Sequence, residues 1–240
     1  MCRWQRTSML LTVVTALALG ACGEASDQDQ IRHVVQQAFT NTDPNVCMSA
    51  MTPAFVQQSR LERGADAMNA CRKNRKTDAA ASVDFVSVQV RGHSAQAKFE
   101  PRGGNSAYKQ ATVRLRKPDG TWKVDRLTQV SIDRARFFQV VRRVLTSTGS
   151  LSQDAVDCAL RTFKPLSDAQ LERNEIQPDA ALLTKTQLDC LLPSVLRNGG
   201  LPPRAITCVI GRLRKVDPAE LNTSAAETKS LFTRAVHACQ

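Results

Sequence analysis

Apolar residues recur with helical spacing at the start of the chain and with strand spacing further on. Within Gln30–Thr40, Ile31, Val34, Val35, Ala38 and Phe39 stand at i, i+3, i+4, i+7 and i+8, the stripe of an amphipathic helix. Asp43-Pro44 and Thr52-Pro53 then read as two helix starts with proline at the first helical position, the later helix carrying Phe55 and Val56. A fourth helical piece around Ala65–Arg72 carries Met68 and Cys71. After Ala79–Ala81 the period falls to two. Val86, Val88 and Val90 share one face of 82–90 while Val83 and Phe85 fall on the other, which calls for a bulge or burial on both sides. Ala95, Ala97 and Phe99 alternate after the Arg91-Gly92 turn, and Ala111, Val113 and Leu115 after Arg102-Gly103-Gly104-Asn105. Trp122 and Val124 follow the Pro118-Asp119-Gly120 turn. Helices first and a four-stranded antiparallel meander second make an α+β domain over residues 28–134.

The second half, 136–240, is helical throughout and holds an internal repeat. "LSQDAVDCALRTFKPLSDAQL" (151–171) and "LPPRAITCVIGRLRKVDPAEL" (201–221) match at a constant offset of 50, pairing Ala155 with Ala205, Val156 with Ile206, Cys158 with Cys208, Leu160 with Ile210 and Phe163 with Leu213. Such self-similarity signals a duplicated helical unit, here 151–190 and 201–239. Ser152-Gln153-Asp154 or Pro202-Pro203 opens the first helix of each unit, and Ser167-Asp168 or Asp217-Pro218 the second. A last helix covers 178–196 in one unit and about 223–238 in the other. Arg136–Leu145 reads as a basic amphipathic helix between the domains, with Phe137, Phe138, Val141, Val144 and Leu145 packed and Arg142 and Arg143 outside.

The first thirty residues change the picture. Arg3 and Arg6 precede an uncharged apolar run over Thr7–Leu19, and Leu19-Gly20-Ala21 supplies small residues before a cleavage point. That is the make-up of a secretory signal peptide, 1–21, too short to span a bilayer comfortably. Leu19-Gly20-Ala21-Cys22 resembles a bacterial lipobox. The resemblance implies acylation of Cys22, cleavage before it, a short tether over 22–27, and a protein anchored to the outer face of the cytoplasmic membrane by two or three acyl chains.

Export governs the cysteines. Eight are present; removing Cys2 with the leader and assigning Cys22 to lipid leaves six in an oxidising compartment, which favours three disulfides. Cys47 and Cys71 bracket the first helical region. In the repeats the economical pairing is Cys158–Cys190 and Cys208–Cys239, with Cys158–Cys239 plus Cys190–Cys208 as the swapped alternative. The six are too far apart for a Cys-x₂-Cys metal site, and His33, His93 and His237 are scattered. Pairing would leave no thiol as a nucleophile, and no cofactor is implied.

The formal charge is +11, spread over both halves and densest at Arg72-Lys73-Asn74-Arg75-Lys76. Nucleic acid fits this surplus poorly, because the chain reads as exported and has one tyrosine and two tryptophans. Attraction to an anionic phospholipid surface, or a plain solvated basic face, fits better.

The layout ending in "KPDGTWKVDRL" (117–127), with Cys47-Met48-Ser49-Ala50-Met51-Thr52-Pro53-Ala54-Phe55 after the first helix and a second cysteine two dozen residues on, resembles the nuclear-transport-factor-2-like, cone-shaped domains. The likeness is closest to the small version found in actinobacterial lipoproteins. It implies a cone of helices packed on the four-stranded sheet and says little about activity, since folds host many functions. Relatives that are ketosteroid-isomerase-like enzymes use a carboxylate base and a hydrogen-bond donor in the cone. The corresponding candidates here are Asp84 and Tyr108, although Asp84 reads more simply as a polar residue near a strand start. The leading expectation is a lipid-anchored, non-enzymatic binding module for an envelope protein, lipid or polymer, acting through the cone mouth or a groove of the repeats. An enzyme or small-ligand carrier using the cone pocket is the alternative, and a structural spacer a third.

Overall fold

Ser26 opens the fold: its hydroxyl accepts a hydrogen bond from the Asp29 backbone N–H at 3.2 Å and caps helix α1 (Asp27–Thr40). The structure, a computed structural model, describes residues 25–58, 63–218, 221 and 225–240. The expected signal peptide, 1–21, and Cys22 lie outside the described residues. Helix α1 buries Ile31, Val35 and Ala38, as its stripe predicts. Three further helices follow: α2 (Val46–Ser49), α3 (Pro53–Gln58) and α4 (Gly64–Asp78). The Cys47–Cys71 disulfide ties α2 to α4. Helix α4 continues past the expected Arg72 to Asp78 because the basic run is not wholly solvated. Arg75 turns inward, 5 % exposed, and donates from Nε to the Asn41 carbonyl at 2.5 Å.

Strands β1 (Ser82–Arg91), β2 (Ser94–Arg102), β3 (Lys109–Arg116) and β4 (Lys123–Ile132) form one antiparallel sheet in the order β1-β2-β3-β4. Ala95, Ala97, Phe99, Ala111, Val113, Leu115, Trp122 and Val124 are all buried on the face that meets the helices. The register of β1 shifts between Phe85 and Ser87. This bulge sends Val83, Phe85, Val88 and Val90 to the core together and leaves Val86 55 % exposed, so Val86 does not share a face with Val88 and Val90 as strict alternation would have it. At the other edge the 50–52 segment pairs with β4. The Thr52 N–H donates to the Val124 carbonyl and the Val124 N–H to the Ala50 carbonyl, both at 2.9 Å.

Helix α5 (Arg134–Ser147), capped by Asp133, leads into the helical half. It buries Phe137 and Val140, and Phe138, Val141 and Val144 flank them. Arg142 and Arg143 lie outside, pairing with Asp157 and the Gly104 carbonyl at 2.8 Å each. The first repeat is α6 (Gln153–Phe163), α7 (Asp168–Ile176), α8 (Ala180–Thr186) and α9 (Leu192–Asn198), the last two joined by a π-turn over Gln187–Leu191. The wider turn removes the clash that the Pro193 ring would otherwise make with the preceding helical turn. The second repeat holds α10 (Pro203–Leu213) and α11 (Ala225–His237). Helices α6 and α10 begin and end at an offset of 50 and bury matching residues. These are Ala155, Val156, Ala159, Leu160 and Phe163 in one, and Ala205, Ile206, Val209, Ile210 and Leu213 in the other. Each unit carries its own disulfide, Cys158–Cys190 and Cys208–Cys239, not the swapped pair.

The two halves meet along a broad seam. Helix α7 packs against β4, where the Ile132 N–H donates to Glu172 at 3.2 Å. A shared apolar cluster holds Tyr108, Phe137, Val140, Phe163 and Leu171. Arg134 at the junction donates to the carbonyls of Leu166 and Lys164 and to Asp168.

Candidate functional site

A cavity of about 440 Å³ lies where the helices meet the end of the sheet. Its floor is apolar: Phe39 from α1, Phe55 and Val56 from α3, and Ala111 and Leu127 from the inward face of β3 and β4. Phe39 packs on Phe55 and Phe99 with ring centroids 6.0 and 4.7 Å apart, which makes one aromatic wall. The periodicity of α1 and the strand alternation turn these residues inward, Phe39 near the end of α1, Ala111 near the start of β3 and Leu127 in the middle of β4.

The rim is polar and comes from segments far apart in sequence. Arg75 and Asp78 end α4, Asn105 and Ser106 lie between β2 and β3, Lys109 begins β3, and Asn174 and Glu175 end α7. Gln58 lines the wall with both ends of its amide engaged. Its Nε2 donates to the Leu127 carbonyl at 2.7 Å, and its Oε1 accepts from the Leu127 N–H at 2.9 Å. That exchange replaces a missing strand partner and locks α3 to β4.

Glu175 is the electrostatic centre of the rim. Its Oε1 accepts from the Tyr108 hydroxyl and its Oε2 from the Lys109 ammonium, each at 2.6 Å. Burial pushes the Glu175 carboxyl upward, but the Lys109 charge and the hydrogen bonds from Lys109 and Tyr108 outweigh it and hold the group below its ordinary value. The Tyr108 hydroxyl is driven well above its ordinary value, first by burial and then by the Glu175 carboxylate. The Tyr108 phenol keeps its proton and donates it to a Glu175 carboxylate that is charged at neutral pH and paired with the Lys109 ammonium.

The two candidate catalytic residues do not converge. The bulge at Val86 places Asp84 on the outward face of the sheet opposite Glu100. There its 56 % exposed side chain accepts from Arg102 Nε at 2.6 Å. Tyr108 sits in the seam between the halves with its hydroxyl on Glu175. A base and a donor aimed at one substrate atom would need shared access, and these two take different partners on different surfaces. The groove expected at the repeats is an open crevice beside Leu188 and Val216, bridged by Arg214 and Lys185 on Asp189 at 2.8 and 3.0 Å.

Sequence reasoning found Tyr108 but not Lys109 or Glu175. One signal was available: Leu171, Glu172, Glu175 and Ile176 share a face of α7, so two acids accompany the apolar residues that pack. Among the described residues, no group of three or more His, Cys, Asp and Glu side chains is placed to hold a metal ion. Among the same residues, no helix is long and apolar enough to cross a membrane. Comparison with protein-family models, with curated proteins and with solved structures finds no match to the chain.

Proposed function

We propose that this chain is an exported, lipid-anchored binding protein of the bacterial cell envelope, whose cavity takes a small amphipathic ligand. The observation that carries the binding reading is the division of the cavity into an aromatic and aliphatic floor and a polar rim. An apolar body would lie on Phe39 and Phe55, and a hydrogen-bonding head would reach Asn105, Ser106 and the charged rim. The Lys109–Glu175–Tyr108 set is mutually satisfied, which favours recognition over proton transfer. The finer assignment of residues 28–134 as a nuclear-transport-factor-2-like cone rests on the Cys47–Phe55 and Lys117–Leu127 sequence elements, and helices over one face of a four-stranded sheet are compatible with it. The anchor rests on Leu19-Gly20-Ala21-Cys22.

Native mass spectrometry of the protein taken from its own membrane tests the binding reading. The expected result is a bound small molecule in the wild type that is lost in Ser106→Trp, a rim variant that fills the mouth and leaves the core intact. A ligand-free wild type, or equal retention in a folded Ser106→Trp, overturns it. For the anchor, Cys22→Ser is expected to release the protein from membranes; retention of that variant through a salt wash overturns it.

A further inference from the structure

The outward face of the sheet carries a gradient of charge along its strands. Cross-strand pairing sets Arg91, Ser94, Arg116 and Lys123 in one row, and Gln89, Gln96, Arg114 and Arg126 in the next. These two rows hold five cationic residues, of which Lys123 turns its ammonium to the Met48 carbonyl in α2 at 2.9 Å and leaves the four arginines on the face. The carboxylate among them, Asp125, bulges between Lys123 and Arg126 and binds Arg114 and Arg116 at 2.6 and 3.2 Å. At the opposite end of the same face stand the acids Asp84 and Glu100, shared by Arg102. Between the ends the outward positions are Ser87, Lys98, Thr112 and Gln129, and the exposed apolar side chain on this face is Val86 at the bulge. Such a face attracts anions without inserting into hydrocarbon.

The start of α1 is strapped to the basic end. Asp27 accepts from Trp122 Nε1 at 2.8 Å and from Lys117 Nζ at 2.9 Å. The Lys117 N–H donates in turn to the His93 carbonyl in the β1–β2 turn at 3.3 Å. Asp27 is therefore held at the end of the sheet that carries Arg91 and Arg116. Fully extended, the stretch from Cys22 to Asp27 spans at most about 17 Å. That is about two Debye lengths at physiological salt.

We infer that the basic rows of the sheet face, Arg91 and Arg116 with Arg114 and Arg126, dock on the anionic phospholipid headgroups of the membrane that holds the tether. This rests on the lipid-anchor reading above and adds to it an orientation: the open sheet face lies toward the bilayer, and the acidic end and the helical repeats stand away. Charge complementarity selects this occupant. A second copy of the chain would bring like charges together, whereas an anionic bilayer offers a plane of negative charge within the reach of the tether.

The test separates the face from the anchor. The full mature chain with Cys22→Ser, which carries no acyl group, is floated with vesicles of phosphatidylcholine alone and of phosphatidylcholine with phosphatidylglycerol. Binding to the anionic vesicles only is expected, lost at high salt. Each basic residue brought to an anionic surface strengthens binding about fivefold. Arg91 and Arg126 are exposed, and the pair Arg91→Glu/Arg126→Glu is expected to weaken binding at least about twentyfold on that basis. Arg72→Glu/Lys73→Glu, the same charge change on exposed positions of α4, is expected to weaken it far less. Equal binding to both vesicle types, or equal losses in the two variants, overturns the proposal. So does soluble polyphosphate that binds in preference to the vesicles, which would make the face a polymer site. Salt-resistant retention of the acylated chain reports on the anchor alone, so either reading can fail while the other stands.

Discussion

Tyr108 donates its hydroxyl to Glu175 at 2.6 Å, across 67 residues of sequence, and this bond with its Lys109 neighbour pins the end of α7 to the start of β3. Glu175 is 18 % exposed and Lys109 13 %, so both charges are well sheltered. Glu175→Gln would leave the ammonium without its counter-charge and is expected to cost about 1–3 kcal/mol at neutral pH. Tyr108→Phe removes one hydrogen bond from a carboxylate that keeps Lys109, and a loss of about 1 kcal/mol is expected. The pH dependence has a definite sign. The folded state holds the Glu175 carboxyl below its ordinary value of 4.5. Its contribution is therefore complete above that value and disappears as pH falls through the lower, folded one. Urea denaturation should show the wild type and Glu175→Gln well separated at pH 7 and converging in acid. A gap that persists undiminished in acid would mean that the carboxylate charge is not what the seam uses.

Each disulfide closes a sizeable loop, with sequence separations of 24, 32 and 31 residues for Cys47–Cys71, Cys158–Cys190 and Cys208–Cys239. Chain-entropy arguments assign each about 3.5 kcal/mol. Non-reducing peptide mapping of the protein is expected to return these three pairs, and a Cys158–Cys239 or Cys190–Cys208 peptide would contradict them. Replacing Cys158 and Cys190 together by alanine should destabilise the first repeat and, through α7, the seam with β4. Replacing Cys208 and Cys239 acts on the distal repeat, and hydrogen exchange should show the loosening confined there.

Local pattern made much of this architecture readable. Strand alternation identifies Ala95, Ala97, Phe99, Ala111, Val113 and Leu115 as core without any knowledge of their partners, and the fifty-residue offset carries over to two helices that bury the same five positions. Three features escaped for physical reasons. The place of the expected bulge in β1, between Phe85 and Ser87, is set by pairing with β2, so Val86 and Asp84 cannot be assigned a face until the register is known. Arg75 looks like one more solvated charge in a basic run, and only the chain bend at Asn41 gives it a buried acceptor. The Lys109–Glu175 pair joins halves that read as separate domains, and nothing in either half says which surface of α7 the sheet will meet.

Asp84 lies on the polar side of β1 and its ion pair with Arg102 is half exposed. Exposed pairs of this kind are screened by solvent and contribute little to stability. Asp84→Asn should leave both thermal stability and the occupancy of the cavity unchanged, read by native mass spectrometry beside the wild type. Loss of a bound molecule in Asp84→Asn would place this carboxylate in the site and revive its pairing with Tyr108 as a candidate.

The link between β2 and β3 that supplies Asn105 and Ser106 to the rim depends on Gly104. This glycine holds φ +65°, and a Cβ added to it would run into the Ala79 carbonyl at the end of α4. Gly92 gives the matched control: its φ is +58°, but nothing lies near the position of an added Cβ. Both alanine variants carry the strain of left-handed backbone, about 1–2 kcal/mol. Only Gly104→Ala adds a collision with backbone atoms that cannot rotate away, which raises the expected loss by a further 1–3 kcal/mol or about that much. Chemical denaturation of the two variants should therefore rank Gly104→Ala well below Gly92→Ala, and the cavity should lose its ligand in the first alone, because Asn105 and Ser106 must move when the link backs away from Ala79. Equal stability of the two would show that the link does not press on α4, and the rim would then need another support.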